Sequence, residues 1–98
     1  MTREITEPRL FKFEREGDSV SGTLVDIETI NVGTMKTPIP RYVIESDEGE
    51  LFCVLSSADL QKKIRRVHVG RKLSIKWETT KQLPNTSHPM RFFKVIEL

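Results

Sequence analysis

The chain has 98 residues, of which 37% are hydrophobic and 31% charged, a balance typical of one soluble globular domain with a modest core. No apolar run approaches the roughly 20 residues that span a bilayer, and the charged start MTREITEPRLFKFEREGD does not fit a secretory signal. The single cysteine, Cys53, excludes an internal disulfide and suits a reducing compartment, so we expect a cytoplasmic protein without a membrane partner.

Charge is distributed unevenly along the chain, although the formal net charge is only +2. Residues 1–50 hold six Lys or Arg against eleven Asp or Glu, whereas residues 51–98 hold ten against three. Such asymmetry favours an anionic partner. The alternative is that the two halves interleave in one small barrel and their fields cancel.

The first 16 residues are predicted to form an N-terminal arm, and residues 17–98 a single domain. In the arm, Phe11 and Phe13 alternate with charged residues. This alternation indicates a short lead-in strand whose rings pack on the domain.

The first main strand is predicted over Gly17–Ile30, and its apolar pattern changes phase midway. Alternation holds up to Leu24, after which Val25 and Ile27 continue on the other parity. A phase change close to Gly22 is typical of a β-bulge in a strand that bends. We expect such a strand to pair with neighbours on both sides of a small closed barrel.

A long loop, Asn31–Pro40, separates this strand from a predicted hairpin. The hairpin strands are Arg41–Asp47 and Glu50–Leu55, joined at the turn signal Asp-Glu-Gly. The second of these strands is apolar on both parities. Either both of its faces are buried, or one forms an apolar outer platform.

One amphipathic helix is predicted over Ser57–Val67, with a serine available as its cap. Asp59 in the first turn and a basic C-terminal end match the helix dipole. Leu60, Ile64 and Val67 recur at i, i+4 and i+7, which gives one apolar stripe facing the core.

Two further strands are predicted at Arg71–Thr79 and Arg91–Leu98, on either side of a polar loop at Thr80–Met90. Phe92 and Phe93 are consecutive and cannot both face inward on a regular strand, and we expect Phe92 to face outward. The residues predicted to be largely buried are Val20, Leu24, Tyr42, Ile44, Phe52, Val54, Leu60, Ile64, Leu73, Ile75, Phe93 and Val95.

The predicted order is strand-strand-strand-helix-strand-strand, and the first strand is long and bent. A five-stranded Greek-key barrel, the OB-fold, has this order, with its helix plugging the barrel between strands three and four. We therefore predict an all-β fold with one helix, namely a five-stranded Greek-key OB-fold barrel.

Several short segments also resemble a known family: GDSVSGTL, YVIESDEGE, SSADL, VGRKLSIKW and FFKV, within residues 17–98. The chain is similar to the small single-domain OB proteins of phages and bacteria that bind single-stranded DNA. In OB proteins the ligand usually crosses strands two and three between two loops. The resemblance thus implies a groove surrounded by Lys36, Arg41, Lys81 and His88.

Basic and aromatic residues also interleave on the adjoining fourth and fifth strands, which contribute Lys76, Trp77, Arg91, Phe92 and Lys94. Single-stranded nucleic acid is held by a cationic groove and by stacked rings, each stacked base contributing about 1–3 kcal/mol. We expect a non-enzymatic module that binds single-stranded nucleic acid, DNA in preference to RNA, with little sequence specificity and no cofactor.

Some of these residues have a structural alternative. Trp77 shares the parity of Leu73 and Ile75, which favours a core position, and lysines that alternate along a strand are also typical of a solvated face. Aromatic residues on strands two and three are limited to Tyr42 and Phe52. If both point inward, the usual stacking platform is missing.

Signals for catalysis and metal binding are weak. A Cys53 nucleophile with His68 or His88 would need an accessible thiol and a third, orienting group, whereas a small apolar residue packs naturally within ELFCVL. Two histidines and one cysteine match no metal-ligand spacing. We expect no enzyme; the main alternative is a phage or bacterial assembly module that uses the same barrel to bind protein partners or itself.

Overall fold

A computed structural model describes residues 8–31, 38–84 and 89–98. Within these ranges the chain is mostly β with one α-helix, as predicted. The elements are β1 (Arg9–Leu10), β2 (Ser19–Ile30), β3 (Ile39–Glu45), β4 (Leu51–Leu55), α1 (Ala58–Lys63), β5 (Lys72–Lys81) and β6 (Met90–Glu97). A short 3-10 turn, Arg66–His68, lies between α1 and β5.

The six strands form one mixed sheet in the order β1-β4-β3-β2-β5-β6, and no ladder among the described residues joins its two ends. Five of the strands follow the predicted order, but the prediction of a closed five-stranded barrel is met only in part. The sixth strand, β1, pairs in parallel with β4 through Arg9 and Leu10. Because β1 occupies this edge of β4, the edge is not available to β6.

The long first strand is bent where the sequence changes phase. β2 pairs with β5 along residues 19–23 and with β3 from Thr23 onward, and its register shifts between Leu24 and Asp26. This confirms the predicted bulge and the pairing on both sides. After the shift, Val25 is 38% exposed, whereas Ile27 packs on the core.

Ten of the twelve predicted core residues are buried, so the assigned strand parities hold across the sheet. The other two, Phe52 and Val95, are half-buried. The buried cluster also takes in Phe13 and Trp77, and the rings of Phe13 and Phe93 pack edge to face with centroids 4.9 Å apart. The predicted packing of the lead-in rings is therefore observed, although the strand itself lies two residues earlier.

The helix is shorter than predicted, because it ends at Lys63 and not at Val67. Ser57 Oγ accepts a hydrogen bond from the Leu60 amide at 3.3 Å, as expected of the cap. Ile64 is buried with an extended backbone, and the following turn is closed locally by the Arg65 amide, which donates to His68 Nδ1 at 3.0 Å. Such local bonds compete with helix continuation, and Val67 is consequently 64% exposed.

Gly22 is buried where β2 passes close to β3. A Cβ atom at this position would lie 2.4 Å from the Glu45 carbonyl oxygen and 2.7 Å from Ile44 Cγ2. The carbonyl belongs to the backbone of a paired strand and cannot turn away as a flexible side chain would. The close contact between the two strands therefore requires glycine.

We expect Gly22→Ala to lower the free energy of unfolding by about 1–3 kcal/mol, the usual cost of overpacking a well-packed site. Urea unfolding followed by tryptophan fluorescence measures the change. Ser21→Ala, on the exposed face of the same strand, serves as the control and should change stability by less than about 0.5 kcal/mol. Equal stability of the two variants would mean that β3 can move away from position 22 without cost.

Candidate nucleic-acid interface

A groove of about 540 Å³ runs along β6, bounded on one side by β5 and on the other by the end of α1. Its lining contains three lysines and one carboxylate, so the groove is locally positive. The lining residues are Lys63, Glu78, Thr79, Lys81, Phe92, Phe93, Lys94 and Val95.

The groove depends on a register shift between β5 and β6. The ladder is regular up to Trp77, opposite Phe93, and then skips one residue, so that Thr79 faces Phe92 and Lys81 faces Met90. Because of this β-bulge, Thr79 and Lys81 at the end of β5 lie on the same outward face of the sheet as Phe92 and Met90 of β6. As predicted, the two phenylalanines separate: Phe93 is buried, whereas Phe92 is only half-buried.

The Phe92 ring has cations around it. Lys81 Nζ lies 5.7 Å from the ring centroid, which is a cation–π distance. Lys94, two residues along β6 on the same face, lines the same groove. An accessible ring between lysines offers both a stacking surface and charge for a ligand that carries rings and anions.

Lys76 and Lys94 lie directly opposite each other in the β5–β6 ladder, and both are exposed. Neither forms an ion pair with any residue in the described ranges. Like charges in direct cross-strand positions are destabilising. The unliganded protein therefore has two like charges opposite each other beside Phe92, and the one carboxylate in the groove lining is that of Glu78.

The Asp59–Lys63 pair attaches α1 to the open edge of β6. Asp59 is buried, and its Oδ2 accepts hydrogen bonds from the Phe93 amide and from Lys63 Nζ, each at 2.8 Å. Lys63 Nζ also donates to the Phe93 carbonyl. These contacts satisfy both backbone groups of Phe93 on the side of β6 where the described residues provide no neighbouring strand.

The pKa of Asp59 reflects this environment. Burial raises the pKa, but the hydrogen bonds from Lys63 and from the Phe93 amide, together with the charges of Lys63 and Lys62, outweigh it. The pKa is therefore held below the ordinary value of 3.8. The carboxylate is stable in its charged form at neutral pH.

Trp77 and Arg91 contact each other and are not part of the groove lining. Trp77 is only 8% exposed, which corresponds to the core alternative, and its Nε1 donates to the Thr79 carbonyl and to Thr80 Oγ1. The Arg91 guanidinium covers the indole ring at 4.2 Å, and Arg91 Nη1 donates to the Phe13 carbonyl at 3.4 Å. The Trp77 ring is thus used for packing within the protein.

The remaining predicted site residues are not brought to the groove by the described structure. Arg41 lies on β3 and forms an ion pair with Glu28 of β2. Lys36 and His88 fall outside the described residues. Of the predicted set, the structure therefore assembles Lys76, Lys81, Phe92 and Lys94 on one surface.

Lys63 is a groove residue that sequence reasoning missed. In the sequence Lys63 belongs to the basic end of the helix, and its i, i+4 spacing from Asp59 indicates an ion pair. Its contact with Phe93 bridges 30 positions of sequence. No local pattern indicates that pairing.

The two residues considered for nucleophilic catalysis that the structure describes, Cys53 and His68, both contact neighbouring protein groups. Cys53 is buried and its Sγ contacts the Pro8 carbonyl at 3.9 Å, while His68 Nδ1 accepts the Arg65 amide hydrogen bond. Within residues 8–31, 38–84 and 89–98, no group of three His, Cys, Asp or Glu could hold a metal ion. Nor is any helix in these ranges long and apolar enough to cross a membrane.

Comparisons with known proteins identify no relative. No family model, no curated protein and no solved structure matches the chain significantly. The resemblance to single-stranded-DNA-binding OB proteins thus stays a prediction from the sequence, and any functional argument depends on the groove itself.

We expect Asp59→Asn to lower the free energy of unfolding by about 1–3 kcal/mol at pH 7, because it removes charged hydrogen bonds to Lys63 and the Phe93 amide. Since the folded-state pKa is lowered, this contribution is fully present above the ordinary pKa of 3.8 and is lost as pH falls through the lower folded-state pKa. Urea unfolding at pH 7 and at pH 2.5 measures it. A stability difference between the two proteins that does not shrink at low pH would contradict the charge assignment.

Proposed function

We propose that this protein binds single-stranded DNA without catalysing a reaction, in the groove along β6 and with little sequence preference. The observation that carries the proposal is the half-buried Phe92 ring, which lies between Lys81 and Lys94 in one positively charged groove. Lysines would neutralise phosphates, and the ring would stack on a base.

The chemistry of the groove favours a single strand over a duplex. In duplex DNA the bases are already paired and stacked, so a lone ring on a sheet surface has no base face to contact. A single strand exposes both its phosphates and the faces of its bases. Stacking does not depend on base identity, and phosphate contacts carry no sequence information, so weak sequence preference follows.

An OB-type architecture is part of the proposal. β2 to β6 follow the OB order with α1 between the third and fourth of these strands, and β1 is then an additional edge strand. The ligand would lie on the last two strands and not on the second and third. Tyr42 is buried and Phe52 is half-buried on those central strands, so they present little aromatic surface.

The direct test is a fluorescence titration with labelled oligo-dT, the matching duplex and oligo-rU at two salt concentrations. The proposal predicts tighter binding of oligo-dT than of the duplex, with an affinity that falls as salt rises because counterions are released. No binding of oligo-dT at low salt would overturn it. Stronger binding of oligo-rU would reassign the ligand to RNA.

We expect Phe92→Ala to weaken oligo-dT binding by about 1–3 kcal/mol, the contribution of one stacked base. The salt dependence should be unchanged, because a stacking contact releases no counterion. Ile96→Ala is the matched control, since Ile96 is an exposed apolar residue on the same face of β6 and does not line the groove. Equal losses in the two variants would place the stacked base elsewhere.

We expect Lys94→Ala to reduce the magnitude of the salt slope by about one, because it removes one phosphate contact. The loss of affinity should be similar for oligo-dT and for mixed-sequence strands, since the contact is not read through a base. Affinity measured from 50 to 300 mM salt (about a sixfold range that spans the steep region) gives the slope. An unchanged slope would remove Lys94 from the binding surface.

A further inference from the structure

The outward face of β5 and β6 arranges its cations in two groups, one on each side of Phe92. Lys81 is opposite Met90, two residues before Phe92 along β6. Lys94, with Lys76 opposite it, lies two residues after Phe92. The ring is therefore the middle position of a row that has one lysine on one side and two on the other.

The spacing of this row follows from strand geometry. Residues two apart on one face of a strand are separated by about 7 Å, so the two cationic positions, at the levels of Met90 and Lys94, are about 13 Å apart along β6, with the ring between them. Lysine stems are flexible and can bend toward the ring from both ends, as Lys81 Nζ does at 5.7 Å from the centroid.

We propose that the binding unit of the groove is a single nucleoside that carries one phosphate on each side. Its base stacks on Phe92, one phosphate contacts Lys81, and the other is held between Lys76 and Lys94. This inference rests on the proposed function and defines the smallest ligand that would use the whole row.

Lys63 is left out of the phosphate contacts for a structural reason. It lines the groove, but its ammonium group donates to Asp59 Oδ2 and to the Phe93 carbonyl. Contact with a phosphate would disturb the attachment of α1 to β6. Among the described residues, no acceptor forms a hydrogen bond or ion pair with the ammonium group of Lys76, Lys81 or Lys94.

The Lys76–Lys94 pair supplies a second line of argument. Two like charges directly opposite each other on adjacent strands destabilise the unliganded sheet. A phosphate placed between them would turn this repulsion into two attractive contacts.

Isothermal titration calorimetry with thymidine 3′,5′-bisphosphate, thymidine 5′-monophosphate, thymidine and inorganic pyrophosphate tests the unit. We expect the bisphosphate to bind about tenfold or more tightly than the monophosphate, since each phosphate adds charge-assisted hydrogen bonds. Pyrophosphate, which has two phosphates but no base, should bind more weakly than the bisphosphate. Equal binding of bisphosphate and monophosphate would overturn the proposal.

Two substitutions assign the phosphates to their lysines. Lys81→Gln and Lys94→Gln should each reduce the preference for the bisphosphate to about threefold or less, because each removes the partner of one phosphate. Lys72→Gln is the matched control: it lies four residues before Lys76 on the same strand and is paired with Asp47. The Lys72→Gln control should bind the bisphosphate in preference to the monophosphate as strongly as the unmodified protein does. An equal loss of this preference in all three variants would mean that only the overall charge of the protein matters.

Thermal unfolding of the unliganded proteins gives a readout that a purely structural role for Lys94 would not produce. Lys94→Gln should raise the melting temperature by about 1–5 °C, because it relieves the repulsion with Lys76. The same substitution should lower the affinity for the bisphosphate. Lys72→Gln should not raise it. A lower melting temperature for Lys94→Gln would contradict the like-charge argument.

The same samples titrated with oligo-dT separate this inference from the proposed function. Binding of oligo-dT without any preference for the bisphosphate would overturn the two-phosphate unit and leave the function standing. Binding of the bisphosphate without binding of oligo-dT would overturn the function and keep the unit as a nucleotide site. If neither oligo-dT nor the bisphosphate binds, both the proposed function and the two-phosphate unit are wrong.

Discussion

The close approach of β2 and β3 at Gly22 is the constraint on which the rest of the sheet depends. β2 is the central strand that pairs with β3 on one side and β5 on the other, and it changes partner close to this glycine. The 2.4 Å that would separate a Cβ atom from the Glu45 carbonyl leaves no room for a side chain. The register shift that follows, between Leu24 and Asp26, bends the strand. At the other end of the sheet α1 contacts β6, and Lys63 of the helix lines the groove.

The predictable part of this structure consists of elements with a local pattern. Alternation placed the long strands and most of the core, and the phase change after Leu24 located the bulge. Consecutive phenylalanines on one strand required one outward ring, which the structure assigns to Phe92. Each of these inferences depends on neighbours within a few residues, where the period of the backbone dictates the face.

The unpredicted part arises from contacts between distant segments. β1 has only two residues and no alternation of its own, because parallel pairing with β4 defines it. The helix ended early because the local bonds of Arg65 and His68 replaced another helical turn. The bulge after Trp77 determines which way Thr79 and Lys81 face, and it depends on the pairing of β5 with β6. The contact of Lys63 with Phe93 depends on the packing of α1 against β6. Neither feature can be recognised from a short stretch of sequence.

The Asp59–Lys63 contact with β6 has a consequence for how molecules of this protein meet one another. A strand at the end of an open sheet presents unpaired amide and carbonyl groups, and these can recruit another chain into an intermolecular sheet. Here a carboxylate and an ammonium group occupy the two groups of Phe93 that a foreign strand would need. The Asp59–Lys63 pair thus takes the place of a neighbouring strand in the middle of β6. It opposes the edge-to-edge association of β6 strands from different molecules.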